Sequence, residues 1–229
     1  MKRPLLLPCI LFLLTGLLLG GILPMPWDKD TSTSHGAGVL MYSSSQQADS
    51  YADASTQTMD SIDNQTLLNT AYYVLQALKN HDYAVLASMV HPQRGVTCTP
   101  LSTISPGADR VLTQDQVKNL TNDIGVYTWG TLDEQGTPIS MTIQQYFAQY
   151  VFDTDYTRAS LIGIDQIMIS GNALENISQV YSDCRFVDFS VPGRKETNQG
   201  LDWRSLKLVF QSDGSCWYLV AMVHGQWTG

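Results

Sequence analysis

Positive charge is scarce in this sequence, and its scarcity limits the partners that the protein can bind. Only 13 Lys and Arg stand against 21 Asp and Glu in 229 residues, which gives a formal net charge of −8. Charged residues of both signs make up just 15% of the chain. Nucleic-acid binding depends on basic side chains that neutralise phosphates. The composition therefore argues against a nucleic-acid partner.

Motifs for catalysis and for metal binding are also missing from the sequence. It contains no GxSxG, HExxH, GxGxxG or phosphate-binding loop. Its four cysteines form no CxxC pair and no Cys/His cluster, so we predict neither a metal site nor a cofactor. Apolar residues still account for 44% of the chain, which is enough for the core of one domain.

The N-terminus has the layout of a secretory signal. An uncharged apolar stretch, residues 4–23, follows Lys2 and Arg3, and its length matches the roughly 20 residues that cross a bilayer as a helix. No small-residue cleavage site and no lipid-accepting cysteine follow this stretch. We predict an uncleaved signal anchor over residues 1–26, with a single pass through the cell membrane and the C-terminal part outside. A cleaved signal and a secreted protein are the alternative.

Residues 27–63 differ in composition from the rest of the chain. They are rich in Ser, Thr, Asp and Gln and poor in apolar residues, so they cannot bury enough surface to offset the entropy of ordering. We predict a disordered polar linker, with a short strand near residues 38–42 as the alternative. The folded domain is then residues 64–229.

Apolar residues recur at helical spacing in the first half of this domain. The pattern predicts four helices, over residues 64–82, 82–92, 113–123 and 142–153. Asp82 is the expected N-cap of the second helix, and Thr113 with Gln116 forms a capping box at the start of the third. The first helix carries its apolar stripe on Leu67, Leu68, Ala71, Val74, Leu75 and Leu78.

Alternating apolar residues predict strands in the second half. The strands are expected at residues 125–132, 138–141, 185–191, 203–211 and 216–224. The last two would form a hairpin around a two-residue turn at Asp213 and Gly214. If strand 185–191 pairs with the far edge of 203–211, Cys184 and Cys216 lie two strands apart, about 10 Å, and do not form a disulfide. The sequence leaves the strand order and the state of Cys98, Cys184 and Cys216 open.

The two-residue turn also predicts which side chains share a face of the hairpin. It places Trp203 opposite His224 and Leu208 opposite Leu219, so one face is almost wholly apolar and belongs to the core. On this register His224 lies on the other face, away from the deepest burial. We predict that this other face is an interface for a homodimer or a protein partner. Its residues are Trp203, Val209, Tyr218, Val220, Met222 and His224. Coverage by segments 93–112 or 192–201 is the alternative.

The order of elements resembles the NTF2-like superfamily of cone-shaped α+β proteins. The stretch VLQALKNHDYAVLASMVHPQRGV (74–96) carries the resemblance, with two helices and then His-Pro before a strand. The stretches VYTWG, LDWRSLKLVF and WYLVAMVHGQWT are similar to a group of exported or membrane-anchored bacterial proteins. The resemblance implies a curved antiparallel sheet packed against N-terminal helices. The superfamily includes dehydratases, isomerases and non-catalytic binding modules, so the fold alone selects no function.

Two residues are candidates for chemistry. His91 ends the second helix where members of the superfamily place a polar residue facing the pocket, and it could act as a base. The alternative is a histidine stabilised by the helix C-terminus. Arg204 is the only charged residue on the apolar hairpin face, and it could clamp a carboxylate ligand or pair with an acid of the protein itself. Asp153 and Asp155 lack the glycine and the distal glutamate of a calcium loop.

These observations favour an extracytoplasmic, membrane-tethered binding or assembly module. The membrane contact would run through residues 4–23. The alternative is a small-pocket lyase or isomerase that uses His91 or a pocket Asp as its base. A pocket containing a His or Asp with a shifted pKa and a hydrogen-bonded partner would favour the enzyme.

Overall fold

The computed structural model describes residues 63–132, 136–194 and 199–228. The predicted signal anchor (1–26) and all but the last residue of the predicted linker lie outside these ranges. Within them, no helix has the length and apolar character needed to span a bilayer.

Two helices open the described part of the chain, as the sequence predicts. Helix α1 covers residues 63–79, and helix α2 is Tyr83–Met89. Asp82 caps α2, because its Oδ1 accepts a hydrogen bond of 3.0 Å from the backbone N–H of Val85. The stripe of α1 is buried at Leu67, Ala71, Val74, Leu75 and Leu78.

The later helices are short, and two of them begin with capping boxes. Helix α3, Gln114–Lys118, has the predicted box of Thr113 and Gln116. Helix α4, Ile143–Tyr146, continues as a π-helical turn over Phe147–Val151. Single 3₁₀ turns lie at Leu120–Asn122 and Tyr156–Arg158, and helix α5 is Ile177–Val180.

Six strands form one sheet in the spatial order β2-β1-β8-β7-β6-β5, and β3 pairs with β4 in a separate hairpin. The bounds are β1 Val96–Thr99, β2 Arg110–Leu112, β3 Val126–Thr131, β4 Pro138–Thr142, β5 Leu161–Ile164, β6 Arg185–Val191, β7 Arg204–Ser212 and β8 Trp217–Gln226. Strand β1 runs parallel to β8. The sheet is therefore mixed, and the expectation of a wholly antiparallel sheet is wrong. A parallel neighbour requires a crossover connection, here the chain between β1 and β8, rather than a hairpin.

The register of the final hairpin differs from the predicted one. Ser212 faces Trp217 across a four-residue turn, in which Asp213 Oδ1 accepts hydrogen bonds of 2.8 Å from the N–H groups of Ser215 and Cys216. These bonds stabilise a longer turn than the two-residue one that Asp213 and Gly214 suggest.

A β-bulge at Val220 then changes which residues share a face. Val209 faces Ala221 and Phe210 faces Leu219, so Val220 is the extra residue on β8. Beyond the bulge, His224 faces Leu206 instead of Trp203. The prediction that His224 lies away from the core is therefore wrong, because neither the longer turn nor the extra residue is visible in the apolar pattern.

Both faces of the sheet are covered. The inner face, bearing Leu206, Leu208, Phe210, Leu219 and Met222, packs with α1, α2 and α4. The outer face, bearing Val209, Val220, Ala221 and Val223, is covered by Ile104, Ile177 and Tyr181. The expected alternative of coverage by segment 93–112 is present at Ile104, and the segment that contains α5 also covers this face. Part of segment 192–201, the other expected cover, lies outside the described residues.

The strand order also decides one question about the cysteines. Strand β7 lies between β6 and β8, the order on which Cys184 and Cys216 were expected not to bond. Cys98 and Cys184 are free thiols, so Cys184 forms no disulfide with Cys216.

Candidate functional site

Charged side chains meet at the inner face where β7 and β8 run beside the chain that follows α4. Asp153 comes two residues after the π-helical turn, and Phe152 closes that turn with an N–H···O bond of 2.8 Å to Phe147. Arg204 begins β7 and His224 lies near the end of β8. We call Asp153, Tyr156, Arg204 and His224 the inner charge cluster.

Asp153 is the acceptor at the centre of this cluster. Tyr156 donates its hydroxyl to Oδ1 at 2.7 Å, and Arg204 donates Nε to Oδ2 at 2.8 Å. His224 Nε2 lies 3.3 Å from the same Oδ2. The Asp153 side chain is only 14% exposed, so it depends on these donors rather than on water.

Both ring nitrogens of His224 face acceptors. The side chain is fully buried, and Nδ1 lies 3.1 Å from the carbonyl oxygen of Pro100. A carbonyl oxygen can only accept, so Nδ1 carries a proton. Nε2 faces the carboxylate of Asp153, and only the doubly protonated imidazolium donates to both neighbours. Tyr150 adds an edge-to-face ring contact at 5.6 Å.

The electrostatics of the cluster favour a charged Asp153. Burial alone raises the pKa of its carboxyl, but the hydrogen bond and charge of His224, the Tyr156 hydroxyl and the Arg204 charge outweigh burial and lower it. Burial raises the pKa of Tyr156 well above its ordinary value. Asp153 is thus a carboxylate with three hydrogen-bond donors of the protein around it, and both ring nitrogens of His224 face acceptors of the protein. The cluster is suited to holding the strands together rather than to proton transfer.

Aromatic side chains fill the space beside the inner charge cluster. The rings of Trp129 and Tyr146 stack at 4.0 Å with an interplanar angle of 11°, and Tyr150 continues the stack at 5.4 Å from Tyr146. Trp129, Tyr146, Tyr156, Phe189 and Phe210 are all fully buried. Large aromatic side chains therefore fill the inner side of the sheet.

His91, the predicted candidate base, makes contacts that stabilise the turn after α2. Its Nδ1 accepts hydrogen bonds from the N–H groups of Gln93 and Arg94 at 3.2 and 3.1 Å, so it closes the turn after α2. Burial and the Arg94 charge lower the pKa of His91, and the Asp213 charge opposes them. Its ring packs edge-on against Tyr218 at 5.7 Å. No carboxylate of the described residues bonds to the ring, so the partner that would orient a catalytic base is lacking.

The six residues of the predicted interface do not share one exposed face. Met222 and His224 lie on the inner face, whereas Val209 and Val220 lie on the outer face, and all four are 2% exposed or less. Trp203 is 5% exposed, and Tyr218 is partly exposed. The bulge separates these residues, and the covering segments exclude solvent from the outer ones.

A second ionic cluster lies buried on the outer face. Lys207 is fully buried, and its Nζ donates to Glu175 Oε1 at 2.9 Å. Asp188 faces Lys207 across the strands and accepts from Ser205 at 2.8 Å and from Ser190 at 2.9 Å. These contacts fix the covering segment over the sheet. Across the described ranges, no three His, Cys, Asp or Glu side chains converge as metal ligands would.

Two cavities open on the outer side, next to Tyr181. The larger has a volume of about 260 Å³ and combines apolar walls with two charged side chains, Arg94 and Asp109. The smaller, of about 120 Å³, lies across Tyr181 and is lined by Phe186 and Cys184. Burial and a hydrogen bond to Asp183 raise the pKa of the Cys184 thiol to about 11, so it is a poor nucleophile. Sequence reasoning missed the larger cavity, because its lining comes from separated loops.

No protein-family model and no curated protein matches the chain. Several solved structures resemble it at low sequence identity. One is a protein named Rd1NTF2_05 with five substitutions, at 12% identity and a TM-score of 0.31, and the match covers 71% of this chain and 99% of that one. Another is a ketosteroid isomerase-like protein from Erwinia carotovora atroseptica, at 11% identity and a TM-score of 0.32, with 71% and 94% covered. A Streptomyces avermitilis protein described as a dehydratase of the NTF2-like family matches at 12% identity and a TM-score of 0.31, with 72% and 97% covered. At these identities and TM-scores the likeness transfers no ligand, activity or residue role to this chain.

Proposed function

We propose that this protein is a membrane-tethered, extracytoplasmic binding module that captures a small ligand on the outer side of its sheet. One observation carries the proposal: the cavity of about 260 Å³ places Arg94 and Asp109 among apolar side chains. Small-ligand sites typically combine apolar walls with a few polar groups in this way. The apolar stretch 4–23 after Lys2 and Arg3 supports the tether.

The inner face supports binding over catalysis. The Asp153 carboxylate is already surrounded by Tyr156, Arg204 and His224, and each ring nitrogen of His224 faces an acceptor. A lyase or isomerase would need a base with a free lone pair beside an open pocket. The alternative enzyme would therefore have to break this cluster before it could accept a proton.

The binding proposal is tested by closing the cavity. Val111 lies on edge strand β2, lines the cavity and is 49% exposed, so Val111→Trp adds bulk at its wall. Ile162, 37% exposed on edge strand β5 and away from the cavity, gives the matched control Ile162→Trp. Full-length protein is screened by thermal shift against a library of small metabolites. Hits that Val111→Trp removes and Ile162→Trp keeps support the proposal, whereas hits that survive Val111→Trp contradict it.

The tether is tested separately from binding. Protease added to intact spheroplasts should digest the C-terminal domain while the protein remains in the membrane fraction. A domain that is protected until lysis, or found in the soluble cytoplasmic fraction, would contradict the proposed location. A domain released into the medium would support the cleaved signal instead.

A further inference from the structure

The cavity beside Tyr181 carries charges of both signs. Arg94 and Asp109 line it together, and the remaining wall is largely apolar. The apolar lining residues are Ile104, Pro106, Val111, Val180 and the ring of Tyr181. Tyr181 is held in place because its hydroxyl donates to Thr97 Oγ1 at 2.8 Å. The wall is thus positioned before any ligand arrives.

Arg94 is held by one of its terminal nitrogens and keeps donors available. Nη1 donates to Gln211 Oε1 at 2.9 Å and to Asp183 Oδ2 at 3.2 Å, while the guanidinium lies 5.4 Å from the Tyr181 ring centroid. Its contact with Cys184 Sγ, at 3.7 Å, also uses Nη1. Among the described residues nothing accepts from Nη2 or Nε. A guanidinium anchored in this way can still donate to a carboxylate.

Asp109 is likewise anchored through one atom. Oδ2 accepts from Thr99 Oγ1 at 2.9 Å and from the N–H of Ser105 at 2.8 Å. No donor of the described ranges reaches Oδ1. Burial raises the pKa of Asp109 more than these two hydrogen bonds lower it.

The two charged groups do not neutralise each other. Arg94 forms its ion pair with Asp183, and its side chain makes no ion pair with Asp109. An anionic ligand would leave Asp109 uncompensated, and a cationic ligand would meet the guanidinium of Arg94. A purely apolar ligand would strip water from both groups without replacing their hydrogen bonds. A molecule with one charge of each sign satisfies both residues.

We infer that the outer cavity binds a small zwitterion, whose carboxylate meets Arg94, whose ammonium group meets Asp109, and whose apolar body lies against Ile104, Val111 and Val180. The ligand class is an amino acid or a short peptide-like molecule with separated charges. This inference rests on the proposed binding function and specifies its ligand.

The test is calorimetric titration of full-length protein with matched probes. The zwitterions 4-aminobutyrate, 6-aminohexanoate and 8-aminooctanoate vary the distance between the charges, and hexanoate and hexylamine each lack one charge. We expect at least one zwitterion to bind about tenfold or more tightly than either single-charge probe. Arg94→Gln should reduce its affinity to that of the amine, and Asp109→Asn should reduce it to that of the acid.

The controls separate this inference from the proposed function. Arg158→Gln and Asp115→Asn make the same charge changes away from the cavity and should leave binding unchanged. Equal affinity for zwitterions and single-charge probes, or binding unaffected by Arg94→Gln and Asp109→Asn, overturns the inference. If library hits depend on an open cavity while no zwitterion binds, the inference fails and the binding function stands. If neither class binds, both fail.

Discussion

His224 Nε2 lies 3.3 Å from Asp153 Oδ2, although 71 residues separate the two in the chain. The contact joins the last strand of the sheet to the segment after α4, and Arg204 extends it to β7. Since both members of the pair are removed from water, each depends on the other for its hydrogen bonds.

Asp153→Asn should destabilise the fold. The amide removes the negative charge that His224 and Arg204 share, and a buried ion pair that loses one partner costs about 3 kcal/mol or more. Urea denaturation measures the loss in the free energy of unfolding. Lys79→Gln is the control, because Lys79 and Asp155 form a pair with side chains 42% and 37% exposed, worth under about 1 kcal/mol. An equal cost for both variants would show that the inner charge cluster contributes little.

The same carboxylate predicts how stability depends on pH. The pKa of Asp153 is lowered in the folded state, while an unfolded Asp has a pKa of about 3.9. Its contribution is therefore present above about pH 4 and is lost as the pH falls through the folded pKa. The difference in unfolding free energy between wild type and Asp153→Asn should stay constant near neutral pH and shrink in acid. A difference that grows in acid would contradict the lowered pKa.

The second ionic cluster, of Lys207, Glu175 and Asp188, predicts that replacing Lys207 and replacing Glu175 lower the free energy of unfolding by different amounts. Lys207→Met leaves Glu175 without its ion-pair partner and removes the cation from the position opposite Asp188 in the sheet, and the cost should be about 3 kcal/mol or more. Glu175→Gln leaves Asp188 opposite Lys207, and its cost should be about 1–2 kcal/mol. Urea denaturation of the two variants gives the comparison. Equal costs would mean that Asp188 does not help to balance Lys207.

Substitutions of Met222 and Tyr218 distinguish the observed register of the β7-β8 hairpin from the predicted one. Met222 is 1% exposed on the inner face, so Met222→Asp buries a carboxylate and should cost about 4 kcal/mol or more. Tyr218 is partly exposed, and Tyr218→Asp should cost clearly less. Circular dichroism during heating compares their stabilities, and sedimentation velocity reports their assembly. A folded Met222→Asp protein that only dissociates would favour the predicted interface.

Local patterns predicted helices α1 to α4 and strands β3, β4, β6, β7 and β8, but not β2, β5 or α5. The stripe of α1, the Asp82 cap and the capping box at Thr113 are each decided by residues within a few positions of one another. The pairing of β7 with β8 also follows from the short turn between them. The α+β class was predicted for the same reason, since element type depends mainly on local periodicity.

The candidate sites depend on information that is not local. Val220 has the same apolar character whether it continues the alternation or forms a bulge, so the pattern could not place His224. In the sequence, Asp153 and Asp155 resemble a calcium loop that lacks its glycine and its distal glutamate. Only the fold brings Asp153 close to His224 and Arg204. Arg94 and Asp109 come from separate loops, and no spacing rule joins them.

The parallel pairing of β1 with β8 has a consequence for the order of folding. Thr97 pairs with Ala221, so β1 waits for β8, the last strand of the described residues, before it gains its central neighbour. Such long-range pairing makes folding slower than pairing between strands that follow each other in the chain. A nascent chain that lacks β8 cannot complete this sheet, so β1 and β2 stay apart from β7 until β8 has been synthesised. The proposed export requires an unfolded chain at the membrane, and the late pairing of β1 with β8 would favour that state.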